Sequence, residues 1–255
     1  MNPVELLQQV RAIAREAGAV IMRYYAQGIG SAAKSDGSPV TEADLHCDRL
    51  ICGALAQLTP EIPVVSEESV EAGRIPDVSG GSFWLVDPMD GTKEFLQRTG
   101  SFMVNIGLIH DGVPVLGVLY GPARNELYAA AESVGAIEEV DGADRPIAVR
   151  QTDKDGVVVV SSRQHDNPEL LARFLNGVPV KEHRRVGGPF KFAEIARGRA
   201  DLYPSAHPSG EWDSAAGHAI VVAAGGTLEA FEGGPLAYGK PGFLNPRGFV
   251  VRGRA

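Results

Sequence analysis

One stretch of the sequence decides the fold, because a core strand runs directly into an acidic loop. It is Phe83-Trp84-Leu85-Val86-Asp87-Pro88-Met89-Asp90-Gly91-Thr92. The four leading apolar residues predict a buried strand, and Pro88 and Gly91 predict a stiff exit and a tight turn. Asp87 and Asp90 then converge at the edge of the core, where their charge is costly unless it is neutralised. Hard divalent cations suit that task, and the amide of Thr92 is placed to face an anion.

Acidic residues in similar settings recur elsewhere in the chain. They are Glu67 and Glu68 after Val64-Val65, Asp213 after Trp212, and Asp44 in the capping-box pattern Thr41-Glu42-Ala43-Asp44. Taken singly, each of these acids is explained by a helix cap or a turn. The set as a whole favours a divalent-cation site built from distant parts of the chain.

The remaining pattern predicts a mixed α/β (α+β) protein. Helices are expected near residues 3–25, 41–59, 168–175, 190–197 and 214–224, and strands near 63–66, 83–86, 102–108, 113–120, 126–130 and 157–160. Residues 132–146 are acidic with Gly and Pro, and we expect them to join two α/β halves. The N-terminal half, 1–145, carries the acidic motif, whereas the C-terminal half, 146–255, carries Asp213.

Composition excludes several classes of partner. The 255 residues include 24 Lys and Arg against 32 Asp and Glu, a formal charge of −8. That balance disfavours nucleic-acid polymers and anionic membranes, and by itself it also disfavours a phosphorylated substrate.

No apolar run approaches the roughly 18 residues of a membrane span, and no signal peptide is apparent at Met1. The helical spacing of Cys47 and Cys52 predicts two unpaired thiols. We therefore expect a cytoplasmic protein, with peripheral attachment to the inner membrane and the oligomeric state both left open.

Two motifs together resemble the paired signature of the inositol monophosphatase superfamily. They are Asp87-Pro88-Met89-Asp90-Gly91-Thr92 and Trp212-Asp213-Ser214-Ala215-Ala216-Gly217, with Glu67-Glu68 and Asp44 upstream. The resemblance covers essentially the whole chain. It implies a layered α/β/α/β/α sandwich and a magnesium-dependent, lithium-sensitive phosphomonoesterase.

Further segments are similar to the CysQ-type 3'(2'),5'-bisphosphate nucleotidases of that superfamily. They are Gly91-Thr92-Lys93-Glu94-Phe95, Ser161-Ser162-Arg163-Gln164-His165, Leu202-Tyr203-Pro204 and Phe243-Leu244-Asn245-Pro246. This likeness implies hydrolysis of adenosine 3',5'-bisphosphate and its 2'/3' relatives to AMP and phosphate, linked to sulfate assimilation. The alternative is activity on inositol phosphates or fructose 1,6-bisphosphate. The chain departs from these relatives at Gly187-Gly188-Pro189, where they often carry Gly-Ser-Ser.

The resemblance also implies roles for individual residues. It implies that Glu67, Asp87 and the Met89 carbonyl bind one Mg²⁺ and that Asp87, Asp90 and Asp213 bind a second. A third, weaker ion would be bound by Glu67 and water. The implied catalytic residues are Asp44, Thr92 and Glu67. The implied substrate-binding residues are Glu67, Met89, Asp90, Gly91, Thr92, Ser161, Arg163, His165, Lys191 and Asp213. Lys93 and Glu94 fall in the first turn after the metal loop, where exposed charges are common.

Overall fold

The computed structural model describes residues 2–28, 30–34, 39–163, 168–175 and 177–254. The chain opens with helix α1 (Pro3–Gln27), capped by the Asn2 side chain, which accepts from the amide of Val4 at 2.8 Å. A short antiparallel pair, β1 (Ala32–Ala33) and β2 (Pro39–Val40), leads into α2 (Glu42–Leu58). The expected capping box begins α2, because Thr41 and Asp44 bond reciprocally.

Most of the first half forms a seven-stranded sheet. Its strands, in spatial and chain order, are β3 (Val64–Ser66), β4 (Ser82–Asp90), β5 (Met103–His110), β6 (Val113–Gly121), β7 (Glu126–Ala131), β8 (Gly135–Val140) and β9 (Ala143–Pro146). Only β3 and β4 run parallel; the other neighbours are antiparallel. Two short helices interrupt it, α3 (Glu67–Glu71) after β3 and α4 (Thr92–Leu96) after β4.

The second half contains the remaining elements. They are β10 (Val157–Ser162), α5 (Pro168–Phe174), β11 (Val180–Val186), α6 (Phe190–Ala196), β12 (Leu202–Ser205), β13 (Ser209–Gly210), α7 (Ala215–Ala223), β14 (Thr227–Ala230), a 3₁₀ turn (Pro241–Phe243), β15 (Leu244–Asn245) and β16 (Phe249–Arg252). Five of these strands form a second sheet in the order β11-β10-β12-β16-β14. β13 and β15 pair with each other, outside both larger sheets.

The two sheets and the helices stack as the expected α/β/α/β/α sandwich. Helices α1 and α2 pack on one face of the large sheet and share its core with β4, β5 and β6. Helices α6 and α7 lie between the two sheets and form a second core with both. On the far side of the small sheet, α5 covers a smaller apolar cluster around Val159. Among the described residues, no helix combines the length and apolarity that a membrane crossing requires.

The expected helices and strands are confirmed, with ends within two residues, except that β4 continues through Asp90. Residues 132–146, which the sequence predicts to join the two halves, include the β8–β9 hairpin at the edge of the large sheet. Asp141 and Gly142 both have positive φ, at 53° and 78°, and such a pair makes a tight two-residue turn between strands. The thiols of Cys47 and Cys52 are both free, as expected.

The packing of α7 on the large sheet depends on two glycines that face each other across β5 and β6. A Cβ at Gly117 would lie 2.3 Å from the carbonyl oxygen of Ala216, and one at Gly107 would lie 2.9 Å from Ala215 Cβ. The missing side chains therefore let α7 approach the sheet, and this approach fixes the position of the residues that precede the helix.

We expect Gly117→Ala to lower the free energy of unfolding by roughly 2 kcal/mol, because the new methyl group overlaps the backbone of α7. Gly53→Ala is the matched control: it lies inside α2 with open space at the Cβ position, so the same change should stabilise by roughly 0.5–1 kcal/mol. Urea unfolding of both variants measures the difference. Equal stability of the two would contradict the close approach.

Candidate active site

A β-bulge at the end of β4 brings two carboxylates to the same face of the sheet. Asp87 lies opposite Asn105 and Asp90 lies opposite Met103, so three steps along β4 match two steps along β5. In a regular strand, residues three apart point to opposite faces. The additional residue therefore reverses the alternation and directs both aspartates toward the layer between the sheets.

The third carboxylate comes from the other half of the chain. Asp213 lies just before α7, and its Oδ2 accepts from the Gly210 amide at 2.9 Å. One carboxylate oxygen from each of Asp87, Asp90 and Asp213 lies within 4.8 Å of the other two. The Asn105 amide donates to Asp90 Oδ2 at 3.3 Å, which steadies the arrangement from β5.

These three acids lie at the edge of the core, and this environment raises their pKa values. Burial raises the pKa of Asp87 well above its usual range, and the charges of Glu67 and Asp90 add to the rise. Burial and Asp90 do the same to Asp213. Burial raises the pKa of Asp90 to about 7, although the Lys191 ammonium opposes this. Three converging hard oxygen donors with unbalanced charge fit a divalent cation such as Mg²⁺.

A hydroxyl group lies next to this cluster. Thr92 Oγ1 donates to Asp44 Oδ1 at 3.0 Å and lies 3.3 Å from the Met89 carbonyl oxygen. Asp44 is 3% exposed, and its Oδ2 also accepts from the amide and hydroxyl of Thr41, at 2.8 and 2.6 Å. Burial raises the pKa of Asp44, but these donors favour its ionised form. The carboxylate thus fixes the orientation of the Thr92 hydroxyl.

Gly91 joins the bulge to α4 in a way that only glycine allows. Its φ is 102°, and a Cβ there would lie 3.0 Å from the Ser101 carbonyl oxygen. The left-handed conformation turns the chain sharply and places Thr92 at the first position of α4. The expected tight turn is present, and it directly follows the end of β4 at Asp90.

Glu67 is held apart from the three aspartates. Its Oε1 lies 2.6 Å from Lys34 Nζ, and the group of mutually close carboxylates found among the described residues does not include it. Glu67 nevertheless lines the same cavity. The structure therefore assembles the Asp87–Asp90–Asp213 part of the expected ligand set and places Glu67 beside it, bound to a lysine.

A cavity of about 890 Å³ opens over the cluster. Of the residues expected from the sequence, those that line it are Glu67, Asp87, Met89, Asp90, Gly91, Thr92, Lys191 and Asp213. Lys191 is 7% exposed, its ammonium donates to the Gly188 carbonyl, and it lies 5.2 Å from the centre of the Tyr203 ring.

The expected substrate-binding segment after β10 is only partly at this cavity. Ser162 lines it, whereas Ser161 is 4% exposed and its Oγ hydrogen-bonds His183 Nε2 at 2.8 Å. Arg163 is exposed and donates to the Arg185 carbonyl at 3.3 Å. His165 lies outside the described residues.

Three polar residues of the site were not singled out from the sequence as contributors. No pattern in the sequence connects Lys34 to Glu67. Asn105 is a polar residue within the otherwise apolar strand β5, and this is the only sign in the sequence of its place at the site. Glu94 was expected to be exposed, and that expectation is wrong: it is 8% exposed, and its Oε1 lies against the bare backbone of Gly187. Lys93, in contrast, is exposed.

The chain is similar to known proteins over nearly its whole length. The CysQ 3'(2'),5'-bisphosphate nucleotidase of Salmonella typhimurium is 44% identical over 96% of this chain and 99% of its own. The enzyme of the same name from Escherichia coli is 42% identical over the same shares.

Solved structures show the same fold. CysQ from Bacteroides thetaiotaomicron, described as a bacterial member of the inositol monophosphatase family, superposes with a TM-score of 0.79 at 33% identity, covering 98% of both chains. The inositol monophosphatase from Anabaena superposes with a TM-score of 0.78 at 26% identity, covering 98% of this chain and 91% of its own. The family model described as "Inositol monophosphatase family" matches residues 2–251, and the chain therefore belongs to that family.

Proposed function

We propose that this protein is a magnesium-dependent phosphomonoesterase that converts adenosine 3',5'-bisphosphate, and its 2'/3' relatives, to AMP and phosphate. The observation that carries the proposal is the three-aspartate cluster on the floor of the cavity. The CysQ nucleotidases, which this chain resembles from end to end, point to the nucleotide substrate. Removal of such a bisphosphate would serve sulfate assimilation.

The chain's own residues suit two or three Mg²⁺ ions. Asp87, Asp90 and Asp213 would hold one ion, and Glu67, Asp87 and the Met89 carbonyl would hold another, with a weaker third at Glu67. When bound, such ions acidify water and offset negative charge on the phosphate and the departing sugar oxygen. The net charge of −8 is then no obstacle to an anionic substrate, because the acids at the site are neutralised locally.

Thr92 and Asp44 supply the orientation that hydrolysis needs. Because the Thr92 hydroxyl donates to Asp44, its oxygen lone pairs are free to accept a hydrogen bond from a water molecule in the cavity. This contact aims the attacking oxygen at the phosphorus, and Asp44 keeps the hydroxyl in that orientation. Backbone amides of Gly91 and Thr92 would donate to the phosphate oxygens.

The same cavity would hold the nucleotide's second phosphate. Lys191, whose ammonium acts on Asp90, presents a cation there, and Ser161, Arg163 and His165 remain proposed contributors on resemblance alone. A serine in place of Gly188 would not fit without backbone movement, because φ is 55° and a Cβ would lie 2.5 Å from the Ser101 carbonyl oxygen. We propose that the Lys191 ammonium takes the place of the hydroxyls that relatives often carry at this segment.

The substrate class is tested by phosphate release in Mg²⁺. We expect kcat/KM for adenosine 3',5'-bisphosphate to exceed that for inositol 1-phosphate and fructose 1,6-bisphosphate by at least about tenfold, because a hydrogen-bonded anion subsite discriminates strongly. Lithium should inhibit the reaction and chelator should abolish it. Faster turnover of the inositol ester would reverse the assignment, and no release from any of the three would end it.

Thr92→Ala should reduce kcat by roughly 10²-fold, the effect of removing one preorganised polar group. Thr92→Ser keeps the hydroxyl and should stay within a few-fold of the wild type. Mg²⁺ affinity, measured by calorimetry, should be alike in all three proteins. An unchanged kcat for the alanine variant would remove Thr92 from the mechanism.

Asp90 should make the metal-free protein less stable as pH rises. Its pKa is about 7 in the folded state and roughly 3.9 when unfolded, so the folded state alone binds the proton between these values. Stability that is present near pH 4 is then lost as pH approaches 7. The Asp90→Asn variant has no carboxyl at this position and does not lose this stability. Its stability relative to the wild type should therefore increase from pH 4 to pH 7.

Thermal unfolding in chelator measures the difference, and saturating Mg²⁺ should remove it, since the ion takes over the proton's role. The same variant should lose most phosphatase activity while it folds normally, as should Asp213→Asn. The exposed Asp77→Asn serves as the control and should show no such trend. If the stability difference between Asp90→Asn and the wild type stays constant from pH 5 to 7.5, the Asp90 carboxylate does not destabilise the metal-free protein and the prediction is wrong.

A further inference from the structure

Lys34 is a buried cation at the edge of the acidic site. Its side chain is only 5% exposed, and its Nζ lies 2.6 Å from Glu67 Oε1, 2.7 Å from Glu68 Oε1 and 3.2 Å from Glu71 Oε2. All three carboxylates belong to α3, which follows β3. One ammonium group therefore occupies the position between three acids where a metal ion would otherwise be attracted.

The contact with Lys34 has a consequence for the ligand set. Glu67 is the expected metal ligand that stands apart from the mutually close Asp87, Asp90 and Asp213. Lys34 acts only weakly on these more distant acids. Its charge lowers the pKa of Asp87 and Asp213, but burial and the neighbouring carboxylates outweigh it. The cation contacts the Glu67 end of the site alone.

We propose that Lys34 is an internal counter-ion that competes with a divalent cation for the Glu67 carboxylate. Lys34 is a positioning residue in this role: it lowers the affinity of the Glu67 end of the metal site and leaves the three-aspartate end nearly unchanged. The inference rests on the proposed function only in taking Glu67 as a metal ligand.

The direction of the effect follows from charge. A divalent ion that binds Glu67 shares the carboxylate with the ammonium or displaces it from Oε1. In either case the two cations repel each other at this short range. Glu68 and Glu71 lower the free-energy cost of this competition, because Lys34 can lose its contact with Glu67 and remain ion-paired with the other two carboxylates. The ammonium stays compensated in both states, which makes the displacement reversible and confines its effect to ion affinity.

Calorimetric titration of metal-stripped protein with Mg²⁺ tests this competition directly. The wild type should show a tighter and a weaker class of ions. Lys34→Met should tighten the weaker class at least tenfold and change the tighter class by less than about threefold. Lys34→Gln removes the same charge and serves if the methionine variant folds poorly. Lys34→Arg keeps the charge and should behave as the wild type.

Two controls separate competition from a general effect of charge. Lys181→Met removes a lysine from an exposed pair with Asp153, so ion affinities should stay unchanged. In a Glu67→Gln background, the contested carboxylate is gone, and Lys34→Met should no longer tighten any ion.

The outcomes distinguish this inference from the proposed function. Unchanged or weaker affinity in both Lys34→Met and Lys34→Gln would overturn the competition, as would an equal gain in the Glu67→Gln background. If the wild type binds ions and the Lys34 variants bind them more tightly, the competition stands even when no phosphate is released from a nucleotide. That last result would refute only the proposed substrate.

Discussion

Mutual repulsion among carboxylates at the edge of the core governs how this molecule is put together. Asp87, Asp90 and Asp213 bring oxygens within 4.8 Å of one another. Burial raises the pKa values of all three, and the charges of neighbouring carboxylates add to the rise. Nothing in the hydrophobic core requires this arrangement, and each charge opposes folding at neutral pH. On the proposed function, a divalent cation bound by these carboxylates would offset their charge and would thereby stabilise the fold.

Several local irregularities serve that convergence. The bulge between Asp87 and Asp90 reverses the alternation of β4, and the left-handed Gly91 then turns the chain so that Thr92 faces Asp44. The close approach of α7 to β5 and β6 brings Asp213 to the same point from the second half of the chain. The three-aspartate cluster is therefore made by the packing between the two sheets and belongs to neither sheet alone.

Much of this could be read from the sequence, and the failures have physical causes. The apolar run 83–86 and the capping box at Thr41 are local patterns, and the structure confirms both. The bulge was not foreseen, because register is a relation between two strands and one strand does not contain it. The ion pair of Lys34 with Glu67 joins residues 33 positions apart, and it depends on how the residue that follows β1 lies against α3. The acidic composition of residues 132–146 predicts a joint between the halves, and it does not reveal that these residues form a solvent-facing edge hairpin.

The most direct test of the central claim is crystallographic. Crystals of the protein soaked with Mn²⁺, as a scatterer that stands in for Mg²⁺, should give an anomalous difference peak among the carboxylates of Asp87, Asp90 and Asp213. The same soak of Asp90→Asn crystals should weaken that peak strongly. An active wild-type enzyme with no peak between these aspartates, or with its ions bound elsewhere, would contradict the account.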